Sequence, residues 1–294
     1  MVFFLFFPKE LKALLFDLRI PRILHYYIHF LFGIVLFYQD FFQFQHFIHN
    51  NFNKLLAYLI VLTYSAIFAI ISNNIVDFEI DTISNPFRPH IQKQISSSLY
   101  LKTGVFCLIW ALILSYSINW IFFISIFLLS LVYYLYSCPP FRFKRIVIFS
   151  KWLIGLNSWI TILTGWMIAG GKLQDFPVFW SIFVLIPISL VANFVDLKDK
   201  AGDEAAGIQT FPVLWGEKRT KQLISVFLLF AYMMTGFYFP FVEVIILLLL
   251  VYSFHIWILW KEPYQEIWLF LLHNGLYIGL SALIFYKTYT LSMK

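Results

Sequence analysis

Nine stretches of about twenty apolar residues run through this 294-residue chain, each long enough to cross a hydrocarbon core of roughly 30 Å as a helix. They fall near 20–40, 54–76, 99–117, 119–137, 146–168, 176–196, 219–238, 242–260 and 267–287. In lipid every backbone N–H and C=O must be satisfied inside the segment, so such spans are helices. Only 12% of the residues are charged, about half the share of a soluble domain, which removes the globular class. The expected architecture is an all-α integral membrane bundle of nine transmembrane helices. It divides into an N-terminal cytoplasmic or interfacial arm over 1–19, a single transmembrane domain over 20–288 and a C-terminal tail over 289–294. The apolar stretch 2–7 has no basic start and is too short for a signal peptide, so it reads as part of the mature chain. Cys107 and Cys138 alone supply no disulfide framework and no zinc cluster. The short joint at Ser117 and Asn119 predicts an antiparallel hairpin of the third and fourth helices.

The basic residues set an orientation. With the N-terminus cytoplasmic, only Lys54, Lys172, Lys287 and Lys294 of the 21 lysines and arginines fall on the outer side. The opposite topology inverts that split, against the positive-inside rule. The net charge of +6 thus describes a cytoplasmic face and gives no reason to invoke nucleic acid.

The carboxylates are placed just as unevenly. At the end of the second span, Asn73, Asp77 and Asp81 stand at i, i+4 and i+8, one face of a helix of 3.6 residues per turn. At the end of the sixth, Asp196, Asp199 and Asp203 at i, i+3 and i+7 form a second stripe if the helix continues past Asp199, where Gly202 weakens it. The segments Asn74-Ile-Val-Asp77 and Asn193-Phe-Val-Asp196 resemble each other as a short pseudo-repeat. Acids at a helix end are often merely solvated. Here they oppose the helix macrodipole, twice, on the same side. Oxygen ligands converging from two helices repel one another unless a hard cation such as Mg2+ joins them, and Mg2+ binds through a few carboxylates together with substrate phosphates. Asp77 and Asp196 are the candidate catalytic carboxylates. Arg22, Arg88, Arg142, Lys144 and Lys198 crowd the same face as candidate diphosphate ligands.

These motifs resemble those of the UbiA-type intramembrane prenyltransferases. Asn73-Asn74-x-x-Asp77-x-x-x-Asp81 is similar to the family's first aspartate motif, with Asn74 in place of its first Asp, and Asn85-Pro86-x-Arg88-Pro89 follows. Asp196-x-x-Asp199-x-x-Gly202-Asp203, continuing into Gly207-Ile208-x-Thr210-x-Pro212 and Gly216, resembles the second. Between them, Tyr136-Ser137-x-Pro139-Pro140-x-Arg142-x-Lys144 looks like the loop after the fourth helix, and Arg22 occupies the place of a family arginine. The resemblance covers roughly 15–290. It implies Mg2+-dependent transfer of an isoprenyl group from an isoprenyl diphosphate to an aromatic or lipid acceptor in the membrane. It further implies a substrate pocket at Tyr136 and Ser137. The second motif looks more like the branch using chlorophyllide, homogentisate or glycerol-lipid acceptors than the 4-hydroxybenzoate branch. Asn74 removes one carboxylate, which implies a weaker or different ligand set. Ile91-Gln-Lys-Gln94 replaces a small-residue turn in the covering loop.

Two other readings compete. An intramembrane terpene cyclase shares the ionisation step and closes the chain on itself. A transporter keeps its charged sites near the bilayer midplane, where these spans hold no Asp or Glu. Aromatic faces can stabilise a carbocation, but 36 Phe, 17 Tyr and 10 Trp are mostly lipid-facing or packing residues. His25 and His29 share a face of the first span, and His273 with Asn274 lies within the ninth. Intramembrane ionisable groups are candidates for function. Hydrogen-bonded glue between helices is the simpler expectation for these, and helix packing for Asn157, Ser158, Thr161 and Thr164. Glu243 and Glu266 are expected near the membrane surfaces without an assigned role.

Overall fold

A computed structural model describes residues 9–293; the stretch 2–7 and Lys294 lie outside the described residues. The described chain is helical throughout: α1 (Lys9–Asp17), α2 (Ile20–Tyr38), α3 (Phe41–Asn50), α4 (Phe52–Val76), α5 (Phe78–Ser84), α6 (Ser97–Ile118) and α7 (Trp120–Ser137). There follow α8 (Val147–Ile168), α9 (Val178–Val191), α10 (Lys200–Ala205), α11 (Phe211–Tyr238), α12 (Val242–Trp260) and α13 (Glu266–Ser292). Among the described residues nine segments are long and apolar enough to cross a membrane: α2, α4, α6, α7, α8, α9 with the turn after it, α11, α12 and α13.

Local chemistry sets several boundaries. Pro21 opens α2, where its fixed φ suits a first turn and its missing N–H costs nothing. Asn119 ends α6 and caps α7, its Oδ1 accepting from the N–H groups of Ile121 (2.7 Å) and Phe122 (3.3 Å), so the hairpin turns in a single residue. The Asp40 side chain likewise caps α3 through the Gln43 N–H at 2.9 Å. Three segments add detail to the expected layout. The 1–19 arm contains α1, whose Ala13 and Asp17, with Leu18 just after it, are buried against the bundle. The α13 helix runs to Ser292, through most of the expected tail. In α11 a short turn from Phe211 is separated by the non-helical Gly216 (φ 78°) from the long apolar helix that follows, near where the seventh span was expected, and Lys221 in that helix is buried and paired with Glu262.

The centre of the bundle is the crossing of α2 with α8. A Cβ on Gly33 would sit 1.9 Å from the Ile162 carbonyl oxygen, and one on Gly165 would sit 1.9 Å from that of Phe30. Small residues at such a crossing let two backbones touch, the main source of helix association where lipid removes the hydrophobic drive. From this pair the core divides. Phe30 and Ile34 pack with Tyr58 and Phe122 on one side, while Phe32 and Leu36 pack with Trp180, Phe183 and Tyr277 on the other. Ile246, Leu250, Phe254 and Trp257 on α12 point outward, an arrangement suited to lipid. Successive spans alternate direction, so the starts of α2, α8 and α13 meet the ends of α4, α7 and α9 at one end of the bundle.

Candidate active site

The first acidic segment keeps helical register through the α4–α5 junction. The Asp77 N–H donates to the Asn73 carbonyl (2.9 Å) and that of Asp81 to the Asp77 carbonyl (2.8 Å). Asn73, Asp77 and Asp81 accordingly face one cavity, as the i, i+4, i+8 spacing requires. The second segment is not the continuous helix expected. Tight 3-10 turns over Ala192–Asp196 follow α9, and α10 begins only after Asp199. Asp196, Asp199 and Asp203 nonetheless line the same cavity. Gly202 serves close approach: a Cβ there would meet Ser84 Oγ at 2.5 Å and the Ile80 carbonyl at 2.6 Å. Its N–H donates to Ser84 Oγ (2.9 Å), which donates to the Asp199 carbonyl (3.1 Å), binding α10 to α5. The Asn85 Nδ2 donates to both Asp81 Oδ1 and Asp199 Oδ1 at 2.9 Å, so one amide spans the two acidic segments.

Nearly every carboxylate meets a cation. Arg88 pairs with Asp81; Lys144 and Arg142 (3.1 Å) pair with Asp77; Lys151 pairs with Asp196 (2.6 Å) and Lys198 with Asp199 (2.8 Å). Asp203 is the exception, with no hydrogen bond or ion pair to its side chain among the described residues. Burial, with Asp196 and Asp199 adding like charge, pushes its carboxyl up to about 7. Burial opposes ionisation of Asp199 too, but Lys198, Arg19 and Asn85 outweigh it and hold that carboxyl at about 2. Burial raises Asp81 despite Arg88 and Arg19. Asp196 Oδ2 is buried with no hydrogen-bond partner. An unpaired Asp203 and an orphaned Asp196 oxygen on one wall are oxygen donors that a hard cation satisfies.

Of the residues picked out by sequence, the six at the two motifs, together with Arg22, Lys144 and Tyr136, line the cavity directly. Arg88, Arg142 and Lys198 reach it through their carboxylate partners, and Ser137 donates to Asn73 Oδ1 at 3.1 Å. Asn74 does not face the cavity. It is fully buried behind it, where Oδ1 accepts from Arg19 (3.2 Å) and Arg88 (3.3 Å) while Nδ2 donates to Tyr100 (2.9 Å) and Asp17 (3.3 Å). Asp17 on α1 also accepts from Tyr100 and from His90 Nδ1 (3.0 Å). Burial pushes this carboxyl up, and these hydrogen bonds together with nearby charge bring it below its ordinary value. The carboxylate absent at position 74 thus stands on the arm.

Sequence reasoning missed three side chains at the site. Arg19 lines the cavity three residues before Arg22, a spacing that was legible. Lys151, at the start of α8, carries no signal that separates it from the basic residues before it. Glu266 lies at the rim, 3.9 Å from Arg22 and 3.4 Å from Lys198, where a surface position was expected. Below the charged mouth the wall is formed by Ala66, Ile70, Ile154, Ile188 and Phe270, with His25, Asn157, Ser158 and His273 among them.

Comparison with known proteins matches this arrangement. The sequence model of the UbiA prenyltransferase family matches residues 30–277. The digeranylgeranylglyceryl phosphate synthase of Korarchaeum cryptofilum (strain OPF8) is 32% identical over 162 residues, covering 53% of this chain and 54% of that protein. The chloroplastic chlorophyll synthase of Oryza sativa subsp. japonica is 28% identical over 171 residues, covering 51% and 42%. The chain therefore spans about half the length of the curated relatives it matches. Among solved structures, a UbiA homolog from Archaeoglobus fulgidus bound to GPP and Mg2+ superposes with a TM-score of 0.68 at 17% identity, covering 95% of this chain and 99% of that one. An apo UbiA homolog from Aeropyrum pernix K1 gives 0.69 at 15% identity, covering 90% and 98%. The structural likeness speaks for the fold, and the family match over most of the length assigns the chain: it belongs to the UbiA prenyltransferase family.

Proposed function

We propose that this chain binds an isoprenyl diphosphate together with Mg2+ between the two acidic segments and transfers the prenyl group to an aromatic or lipid acceptor within the membrane. One observation carries the reading. Two carboxylate segments on separate helices share one charged mouth with Arg19, Arg22, Lys144 and Lys151, and that mouth opens onto an apolar wall. A diphosphate with a hydrocarbon tail has this division of character. The activities named for the curated relatives, and the GPP and Mg2+ in the Archaeoglobus fulgidus structure, support it.

Asp77, Asp81, Asp196, Asp199, Asp203 and Asn73 would hold the metal, which when bound neutralises diphosphate oxygens and makes diphosphate a better leaving group. Engaging those carboxylates frees Arg88, Arg142, Lys144, Lys151 and Lys198 from their present partners. The released cations can turn to phosphate oxygens without adding net charge to the site. Arg19 forms no ion pair and donates to a neutral amide oxygen, so it can reach a phosphate without giving up a carboxylate contact. Burial behind Tyr26, Tyr133, Tyr136 and Phe270 keeps water from the reacting carbon.

Polar groups at His25, Asn157, Ser158 and His273 in the apolar wall favour a second, polar reactant over cyclisation of a hydrocarbon alone. Two of the relatives are named digeranylgeranylglyceryl phosphate synthase and chlorophyll synthase, names in keeping with the form of the second motif. The basic residues at the site end of the bundle support a cytoplasmic mouth. Purified protein incubated with radiolabelled isoprenyl diphosphate and Mg2+, with and without a panel of such acceptors, tests the reading. Acceptor-dependent release of diphosphate and a prenylated product is expected. A cyclic hydrocarbon or alcohol formed without acceptor overturns transfer, and full turnover by Asp77→Ala or Asp196→Ala overturns the metal site.

A further inference from the structure

Deeper in the bundle than the charged mouth, three histidines converge. His25 and His29 lie one turn apart on α2, and His273 faces them from α13. One ring nitrogen of each lies within 4.8 Å of the others. The rings are close: 3.8 Å between centroids for His25 and His29, 5.6 Å for His25 and His273, and 6.0 Å for His29 and His273.

Hydrogen bonding fixes which nitrogens are free. His29 Nδ1 donates to the His25 carbonyl oxygen at 2.7 Å, leaving Nε2 a bare lone pair. That Nε2 is buried without a partner, and His29 is wholly inaccessible. Asn274 Nδ2 donates to the Pro21 carbonyl at 3.4 Å, so its Oδ1 faces His25 Nδ1 at 3.2 Å and takes that proton. His25 Nε2 therefore also carries a lone pair. It meets only the Ser158 hydroxyl at 3.0 Å, and that hydroxyl has another acceptor in the Ile154 carbonyl at 3.3 Å. His273 makes ring contacts but no hydrogen bond among the described residues.

Lone pairs directed at a common centre repel unless a proton donor or a cation lies between them. Two histidines one helical turn apart, each with Nδ1 tied to an oxygen acceptor, have the outer-shell support that holds metal-ligating imidazoles; His29 Nε2 is free for an ion, and His25 Nε2 would exchange the Ser158 hydroxyl for it. We infer that His25, His29 and His273 form a three-nitrogen site for a divalent transition metal of the zinc class, separate from the Mg2+ site at the carboxylates. Neutral imidazoles suit Zn2+, Co2+ or Ni2+ and do not suit Mg2+. His25 and His273 line the cavity, as do Ser158 and Asn157, so the fourth position of a tetrahedral ion opens onto it. Such an ion would bind the oxygen of a hydroxyl-bearing molecule in the cavity and make that hydroxyl more acidic. At ligand distances of about 2.1 Å the nitrogens stand about 3.4 Å apart, so the rings close on the ion by side-chain rotation. The two cysteines play no part; the ligands are histidines.

The test uses the full chain, purified in detergent and stripped with a chelator, with Co2+ as the probe. One equivalent of Co2+ showing the visible absorption of a tetrahedral nitrogen site is expected, displaced by Zn2+ and not by Mg2+. Affinity falls by at least about 10-fold in His29→Gln. It falls similarly in His273→Gln, which lies on the cavity wall and replaces no fully buried ring. Asp77→Asn keeps the signal. Absence of Co2+ uptake by the unaltered chain overturns the site. So does uptake that survives in both histidine variants or vanishes in Asp77→Asn.

Discussion

Asp199 and Asp203 stand one helical turn apart, and their carboxyls sit at about 2 and about 7. Both are buried, and the difference is the company each keeps. Lys198 and Asn85 reach Asp199, whereas Asp203 faces other carboxylates with no cation of its own. A raised folded-state value means that ionising Asp203 opposes folding. The stability its protonated form contributes is fully present below the unfolded value near 3.9 and lost as pH rises through about 7. A divalent cation reverses the preference by binding the ionised form. The Mg2+-induced rise in melting temperature should accordingly be larger at pH 8 than at pH 6, and Asp203→Asn should flatten that difference; thermal melts across this range check it. Asn74 gives a second prediction. Asn74→Asp would bring a new carboxylate to the position from which Asn74 now donates to Asp17 at 3.3 Å, in a fully buried site. A destabilisation of about 3 kcal/mol is expected, with Asp17→Asn in the same chain restoring most of it by chemical denaturation. From sequence, Asn74 read as a missing ligand because spacing gives the direction of a side chain on an ideal helix and not what the bundle places there. The partner lies 57 residues away, on a helix too short to leave an apolar signature.

The long helices were legible because a lipid-crossing segment needs a length and composition that few other segments have. The short helices were not. The α3 helix packs Phe44, Phe47 and Ile48 against the core, but its ten residues are too few to cross a membrane, so a criterion of span length passes it over. The α5–α10 contact depends on Gly202, which in a string of letters reads as a helix breaker; its close approach to Ile80 becomes visible only when the two acidic segments are brought together. At this scale the crossing of α2 and α8 is the most exacting contact. Gly33→Ala should cost about 3 kcal/mol, because the obstacle is the Ile162 backbone and cannot move aside. Gly275→Ala and Gly279→Ala on α13 meet nothing within 4 Å and should leave the melting temperature unchanged, which makes them matched controls. The arm and the loop over 85–96 form a second exacting contact through Asp17, His90 and Tyr100, with the His90 and Tyr100 rings stacked at 5.4 Å. Asp17→Ala should release both. Faster amide exchange over 85–96 is expected, with a weaker apparent affinity for isoprenyl diphosphate, since Arg19 and Arg88 share Asn74 with that network. Unchanged exchange in this loop would show that the arm holds nothing in place.

Across the whole molecule, one end of the bundle carries the acids, most of the bases and the mouth of the cavity, while the other carries α3 and few charges. The same asymmetry serves two physical ends. Lysines and arginines retained on one side orient the chain in a membrane, and they are also the groups that now neutralise the carboxylates. A basic-residue count alone cannot divide these roles: Lys151 was counted for topology and proves to be the partner of Asp196. The proposed cytoplasmic mouth makes a prediction that separates orientation from catalysis. Glu204 on α10 is exposed at the site end, and Gln43 on α3 is exposed at the opposite end. With Cys107 and Cys138 replaced by serine, a cysteine at Gln43 should react with a membrane-impermeant maleimide in intact cells. A cysteine at Glu204 should react only after the membrane is permeabilised. Neither position contacts the acidic segments' side chains, so turnover in the two variants should remain equal and labelling reports orientation alone. The reverse labelling pattern would place the mouth on the outer side, and the charge asymmetry would then need an explanation in the chemistry of the site rather than in insertion.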